Sequence, residues 1–257
     1  MTNIMVGIYF SGTGNSRYIL ECFCKEYDPD TKIYSIEDEA AAEAVKKARL
    51  VAFSYPVQYS TVPKIVRDYI HGHKEIWEGK YVFAIATQGL FSGDGAGLLA
   101  RELEKCGAKV IGGLHAKMPD SIGDVKLLKH PLEQNRETVR KSAEKARKAA
   151  SLLKERRARK EGIGILPRMA GLFGQRLYFG HKTKEYDKNL KIDLEKCVGC
   201  GVCERLCPMK NISVEDRKAV QHARCAMCYR CSNRCPQRAI TLLGKEVVDQ
   251  SVIEKYL

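Results

Sequence analysis

Eight of the 11 cysteines fall within residues 197–236, and their spacing is that of a metal centre. Cys197, Cys200 and Cys203 are followed by Cys207 and Pro208. Cys225, Cys228 and Cys231 are followed by Cys235 and Pro236. Each cysteine of the second set lies 28 residues after its counterpart, so the segment is an internal repeat of one ligand-bearing unit. Two-residue gaps aim three thiolates at one centre, and the fourth cysteine, followed by proline, points to the other. The pattern assigns one 4Fe–4S cluster to Cys197, Cys200, Cys203 and Cys235, and a second to Cys225, Cys228, Cys231 and Cys207. The prolines fix φ and remove a backbone donor where each loop ends. Gly199, Gly201 and Ala226 leave room for backbone amides near the sulfurs.

Two plainer chemistries compete. Zinc sites use paired Cys-x-x-Cys knuckles, to which the third cysteine and its Cys-Pro partner are surplus. Disulfides suit small secreted domains, and no signal-peptide pattern opens this sequence. Residues 191–243 resemble the bacterial two-cluster ferredoxins, with both halves of the pattern complete. Thiols destined for clusters need a reducing compartment, so a cytoplasmic location is expected.

A second candidate site lies at the other end. The apolar run Met5–Phe10 reads as a strand buried on both faces. Ser11, Gly12, Thr13, Gly14, Asn15 and Ser16 follow, and then a helix over Arg17–Tyr27. Strand, Gly/Ser/Thr loop and helix form an anion-binding layout of hydroxyls, backbone amides and a positive helix end. The loop is neither the dinucleotide fingerprint, since Arg17 stands where its third glycine belongs, nor a Walker loop, which needs Gly-Lys-Ser/Thr.

The elements that must position this loop alternate. Strands are expected at Ile33–Ile36, Leu50–Tyr55, Lys80–Thr87 and Lys109–Ala116. Helices are expected at Glu39–Ala48, Pro63–His71, Gly95–Cys106 and Glu133–Lys160. Five strands alternating with helices indicate an α/β fold with a doubly wound parallel sheet. Its ligand belongs beyond the carboxyl ends of the strands, at the switch point between strands one and three.

The loop resembles the phosphate loop of flavodoxins, Thr/Ser-x-Thr-Gly-Asn-Thr/Ser. That resemblance implies a flavodoxin-like five-stranded sheet of order 2-1-3-4-5 and bound FMN. It also implies that the loops after strands three and four hold the isoalloxazine ring. Tyr55, Pro56, Val57 and Tyr59 come from the first of these loops, and Thr87, Gln88, Gly89, Phe91 and Gly93 from the second. Tyr59 and Phe91 are the expected stacking partners. These aromatics would equally serve to pack loop against helix. The loop Met118–Gly123 lies on the same rim.

The net charge of +13 is concentrated in two stretches. Residues 136–160 carry 11 Lys/Arg against 3 Asp/Glu, and residues 191–243 carry 10 against 5. No nucleic-acid recognition motif accompanies them, so an acidic redox partner or a solvated helix face accounts for the excess better than nucleic acid. No apolar run reaches the roughly 18–20 residues of a membrane span. Cys22, Cys24 and Cys106 read as buried structural thiols, and the six histidines show no ligand spacing.

The expected organisation is a flavodoxin-like domain over 1–160, a partly apolar linker over 161–190, a two-cluster domain over 191–243 and a tail over 244–257. The whole resembles the flavodoxin–ferredoxin fusion proteins of anaerobic bacteria and archaea. The resemblance implies electron transfer between two 4Fe–4S clusters and an FMN, and so between one- and two-electron partners. The alternatives are an FMN-dependent reductase of a small acceptor fed by the clusters, and a redox-sensing binding module.

Overall fold

A computed structural model of the chain describes residues 5–90, 94–164 and 188–257. Five parallel strands form one sheet in the order β2-β1-β3-β4-β5. They are β1 (Met5–Tyr9), β2 (Lys32–Ser35), β3 (Leu50–Pro56), β4 (Tyr81–Gln88) and β5 (Lys109–Lys117). Between them run α1 (Asn15–Tyr27), α2 (Ala40–Lys47), α3 (Lys64–Gly72) and α4 (Gly95–Glu104), and α5 (Leu132–Lys154) follows β5. The sheet is the flavodoxin-like order expected from the sequence.

The strand period of two sorts side chains between two cores. Val6, Ile8, Val51, Phe53, Val82 and Ala84 join one core with Val45 of α2, Val66 and Ile70 of α3, and Leu99 of α4. Met5, Leu50, Ala52, Phe83 and Ile85 face the other, with Ile19, Leu20 and Phe23 of α1 and Val139, Ala143 and Ala146 of α5. Both faces are covered, which is why the strands read as continuous apolar runs. Trp77 is fully buried, stacks on Phe53 and donates its ring N–H to the Ile70 carbonyl at 3.2 Å.

Helix α5 ends at Lys154, six residues before its expected end. The chain turns through Arg156, at φ 59°, and runs beside β5. There the Gly113 amide donates to the Arg159 carbonyl at 2.9 Å, and the Glu161 amide donates to the Gly113 carbonyl at 3.2 Å. Satisfying an open sheet edge outweighs another turn of helix in an Arg-rich stretch. The basic face of α5 is laced with exposed pairs: Arg136–Glu133, Arg140–Glu137, Arg140–Glu144 and Lys145–Glu161. Such exposed pairs are screened by solvent and contribute little to stability, and they make this a solvated face. His71, in the last turn of α3, pairs with Glu102 of α4 at 2.8 Å.

The C-terminal part builds a small core of its own from Leu190, Ile212, Ala219, Met227, Ile240 and Leu242. Strand β6 (Lys191–Ile192) pairs with β9 (Ile240–Thr241), and β7 (Ile212–Glu215) pairs with β8 (Lys218–Gln221), both antiparallel. Two five-residue helices, α6 (Val202–Leu206) and α7 (Arg230–Arg234), occupy matching places in the repeat. The apolar middle of the 161–190 linker, Ile165–Phe179, lies outside the described residues.

The two parts meet through the loop after β5. The Asp124 carboxylate, 4% exposed, accepts the backbone amides of Leu242, Leu243 and Gly244 and the hydroxyl of Tyr229. The Gly123 carbonyl accepts the amides of Val248 and Asp249. The tail continues back to the sheet, where Ile253 and Tyr256 enter the core beside α1 and α5.

Candidate functional site

The Ser11–Ser16 loop closes at the carboxyl end of β1 and leads into α1. Gly14 stands at φ 93°, a left-handed conformation that favours glycine, and packs against Ile253 of the tail. Its amide donates to Ser11 Oγ at 3.0 Å. Thr13 Oγ1 and Ser121 Oγ share a hydrogen bond of 2.8 Å, and Asn15 Nδ2 donates to the Pro119 carbonyl at 2.8 Å. Ser16 Oγ and Thr87 Oγ1 lie 2.7 Å apart. The loop is therefore tied to the loops after β4 and β5 by its own hydroxyl and amide side chains. No acidic residue occupies the first turn of α1, which leaves the positive end of a 13-residue helix uncompensated.

A cavity of about 240 Å³ opens above this loop. Among the residues expected at the site, Ser11, Gly12, Thr13, Asn15, Ser16, Pro56, Val57, Tyr59, Thr87, Gln88 and Gly89 line it. Gly14 lies behind the loop, against the tail. Tyr55 is a correction to the expected ring contacts. Strand alternation turns it into the core, where it is fully buried and donates to the Gly95 carbonyl at 2.6 Å. Phe91 and Gly93 lie outside the described residues.

The cavity has walls that loop spacing did not announce. Met118, Pro119, Asp120, Ser121 and Ile122 line one side. Burial pushes the Asp120 carboxyl above its usual range, although its Oδ1 accepts the Ile122 amide at 2.8 Å. The switch-point rule marks this loop as a rim, but nothing in its composition makes it a wall. Met227, Cys228 and Tyr229 form the roof. The Gln58 amide side chain donates to the Met227 carbonyl at 3.1 Å. Gly12 presses on Cys228 so closely that an added Cβ would overlap the Cys228 carbonyl oxygen.

The eight repeat cysteines fall into two spatial groups. Cys197, Cys200, Cys203 and Cys235 line one small cavity together. Burial pushes the Cys203 thiol up, and the neighbouring sulfurs that add to this are Cys235 and Cys197. Burial also raises Cys231, whose sulfur neighbours are Cys228, Cys225 and Cys207. The fourth cysteine of each repeat thus neighbours the first three of the other. Backbone amides point at these sulfurs: Ala219 at Cys197, Asn211 at Cys207, Met227 at Cys225 and Ala239 at Cys235, at 3.2–3.4 Å. Among the described residues, no three His, Cys, Asp or Glu side chains converge as a single ion requires. A four-iron cube asks its thiolates to surround a volume, and four-thiol sets with inward amides fit that demand.

The repeat is asymmetric where it meets the cavity. Gly199 and Gly201 have positive φ, 66° and 72°. Their counterparts 28 residues on, Met227 and Tyr229, keep that backbone at φ 50° and 58°. A side chain in the left-handed region costs about 1 kcal/mol. Here both side chains are buried against the N-terminal part. Burial raises the Tyr229 hydroxyl, with Asp124 adding to the shift, so it stays protonated as the donor to Asp124 Oδ1 at 3.2 Å.

The donor sets suit the groups that the sequence anticipates. Hydroxyls and a helix N-terminus suit a phosphate. Mixed apolar and polar walls, with Pro56, Val57, Met118 and Met227 among the apolar ones, suit a planar heteroaromatic ring.

The 4Fe-4S binding domain family matches residues 190–213, which include Cys197, Cys200, Cys203 and Cys207. No curated protein matches the chain at a significant level. Among solved structures, a flavodoxin from the domain Archaea is similar at 15% identity and a TM-score of 0.42, over 58% of this chain and 98% of its own. The two-electron reduced flavodoxin of Megasphaera elsdenii is similar at 22% identity and 0.40, over 56% and 99%. An azoreductase from Bacillus anthracis is similar at 14% identity and 0.41, over 57% and 97%. Among the described residues no helix is long and apolar enough to cross a membrane.

Proposed function

We propose that this chain is an electron-transfer flavoprotein in which two 4Fe–4S clusters exchange electrons with an FMN. One observation carries the reading: the loop bearing Cys225, Cys228 and Cys231 roofs the cavity whose floor is the Ser11–Ser16 loop. Ser11, Thr13, Ser16 and the N-terminus of α1 would hold the phosphate. Pro56–Tyr59 and Thr87–Gly89 would flank the ring. Bound there, the clusters supply single electrons and the flavin accepts one or two.

The chain's own part is positioning and exclusion of water. Met227 and Tyr229 are 6% and 3% exposed, and they close the roof, with the Tyr229 hydroxyl engaged by Asp124. Cys207, Cys225, Cys228 and Cys231 would hold the cluster beside the cavity. Cys197, Cys200, Cys203 and Cys235 would hold the outer one, where the exposed Cys200 would face a redox partner. The N-terminal unit over 1–160 and the two-cluster unit over 191–243 act as one electron path. Reduction of a small acceptor on the flavin would need an open ring face, and the cysteine-loop roof weighs against it. The self-paired face of α5 gives no support to nucleic-acid binding.

The test is anaerobic purification, quantification of iron and acid-released flavin, and rapid mixing with dithionite. About eight irons and one FMN per chain, with cluster bleaching preceding flavin bleaching, is the expected result. Iron without flavin after incubation with FMN would overturn the reading.

A further inference from the structure

One arginine stands at the junction of the phosphate loop and the second cluster. Arg230 follows the roof residue Tyr229 and precedes Cys231. Its Nη2 donates to the Ser11 carbonyl at 2.9 Å and to Glu37 Oε1 at 2.6 Å. Its Nη1 donates to Glu37 Oε2 at 2.8 Å and to the Leu206 carbonyl at 3.2 Å. The guanidinium also lies 5.9 Å from the centre of the Phe10 ring. Ser11 begins the phosphate loop, Glu37 follows β2, and Leu206 precedes the ligand Cys207. One planar fork therefore grips both ligand-bearing segments of the second cluster and the floor of the flavin cavity.

The pair is sheltered. The Arg230 and Glu37 side chains are 17% and 27% exposed, so solvent screens them less than a surface pair. Their opposite charges both lie beside the cluster loop, because Arg230 stands between Cys228 and Cys231 and holds Glu37 through two hydrogen bonds. The residue 28 positions earlier is Val202, and the cations of the first repeat are Lys218, whose Nζ donates to the Cys197 carbonyl at 2.8 Å, and Arg205, whose Nη1 donates to the Cys200 carbonyl at 3.5 Å. The outer set thus has no guanidinium that ties it to the Ser11–Ser16 loop.

We propose that Arg230 is a positioning residue for electron transfer between the second cluster and the flavin: it holds the cluster loop on the phosphate loop, and its cation raises the potential of that cluster. The inference rests on the proposed function. The step is a one-electron transfer with no bond made or broken. The cation stabilises the extra negative charge that the second cluster carries when reduced, and the fork fixes the distance across which the electron leaves.

The experiment uses the full chain loaded with iron and FMN. Each cluster is titrated potentiometrically under electron spin resonance, FMN affinity is read by fluorescence quenching, and flavin bleaching is timed after flash reduction of the clusters. In Arg230→Gln the second cluster should shift to a more negative potential while the first stays put, and transfer should slow at least tenfold. Glu37→Gln, which removes the opposite charge, should shift the second cluster the other way. Arg230→Lys should restore the potential but not the rate, because an ammonium cannot reproduce the fork. A purely structural role would not give shifts of opposite sign. Shifts of the same sign, equal shifts at both clusters, or unaltered transfer in Arg230→Gln would overturn the inference. If Arg230→Gln fails to load iron, the sign of the Glu37→Gln shift decides. An unmodified chain that never reduces its flavin would overturn the proposed function, and this inference with it. Normal transfer in both the unmodified chain and Arg230→Gln would overturn only the inference.

Discussion

Gly12 and Cys228 touch: the Ser11–Ser16 loop of the sheet half leaves out a side chain where the cysteine loop lays down a carbonyl. The contact joins the two chemistries of the molecule through backbone alone. The Cys228 carbonyl leaves no room for a side chain at residue 12.

Gly12→Ala should therefore disturb the roof rather than the loop itself. Overpacking of this kind costs about 1–3 kcal/mol. The expected outcome is FMN affinity lowered about tenfold, which corresponds to roughly 1.4 kcal/mol, with full iron content. Fluorescence titration and iron quantification check it, and unchanged affinity would show that the roof yields without consequence.

The crossing of the cysteine ligands is open to a direct test. Cys207→Ser should remove the signal of the cluster held by Cys225, Cys228 and Cys231, and Cys235→Ser should remove that of the other. Electron spin resonance of the reduced variants distinguishes the two. Loss of the cluster within the same repeat would reverse the grouping.

Asp124 holds the two parts together through three amides and a phenol. Asp124→Ala leaves those donors buried and unpaired, at a cost of about 3 kcal/mol for groups that bonded a carboxylate. The variant should unfold at lower denaturant, and proteolysis should cut near the loop after β5. Asp124→Asn, which keeps one acceptor, should fall between the variant and the parent.

His115 supplies the pH dependence. Its Nε2 accepts the Ala96 amide at 3.0 Å, at the start of α4. Burial lowers its pKa below the usual 6.5. The unfolded chain then binds the proton more readily than the folded one, so stability is present above about pH 6.5 and is lost as pH falls through the folded value. Acidification from pH 7 should weaken both stability and FMN binding, because α4 follows the loop after β4 that borders the cavity. In His115→Gln this acid slope should flatten; an unchanged slope would assign it to another group.

Much of the site is legible in the order of the residues. The Ser11–Ser16 loop, Pro56–Tyr59 and Thr87–Gly89 follow from the rule that ligands sit beyond strand ends. Tyr55 escapes that rule by one step of strand alternation: the last buried strand residue points inward whatever its ring could offer. The end of α5 escapes it too, because the pairing of Arg159 and Glu161 with Gly113 depends on an edge that lies 46–48 residues away along the chain.

The sequence by itself determined the alternating strands and helices of the sheet half, the sheet class and the cysteine repeat. Each rests on periods and spacings within a few tens of residues, which local geometry enforces. Only the tertiary structure decided that the second repeat faces the cavity, that Met227 and Tyr229 take left-handed backbones where Gly199 and Gly201 stand in the first, and that Arg230 finds Glu37. Those contacts join residues far apart in the chain. Two repeats with the same ligand spacing are equivalent until packing buries one against the sheet and leaves the other to solvent.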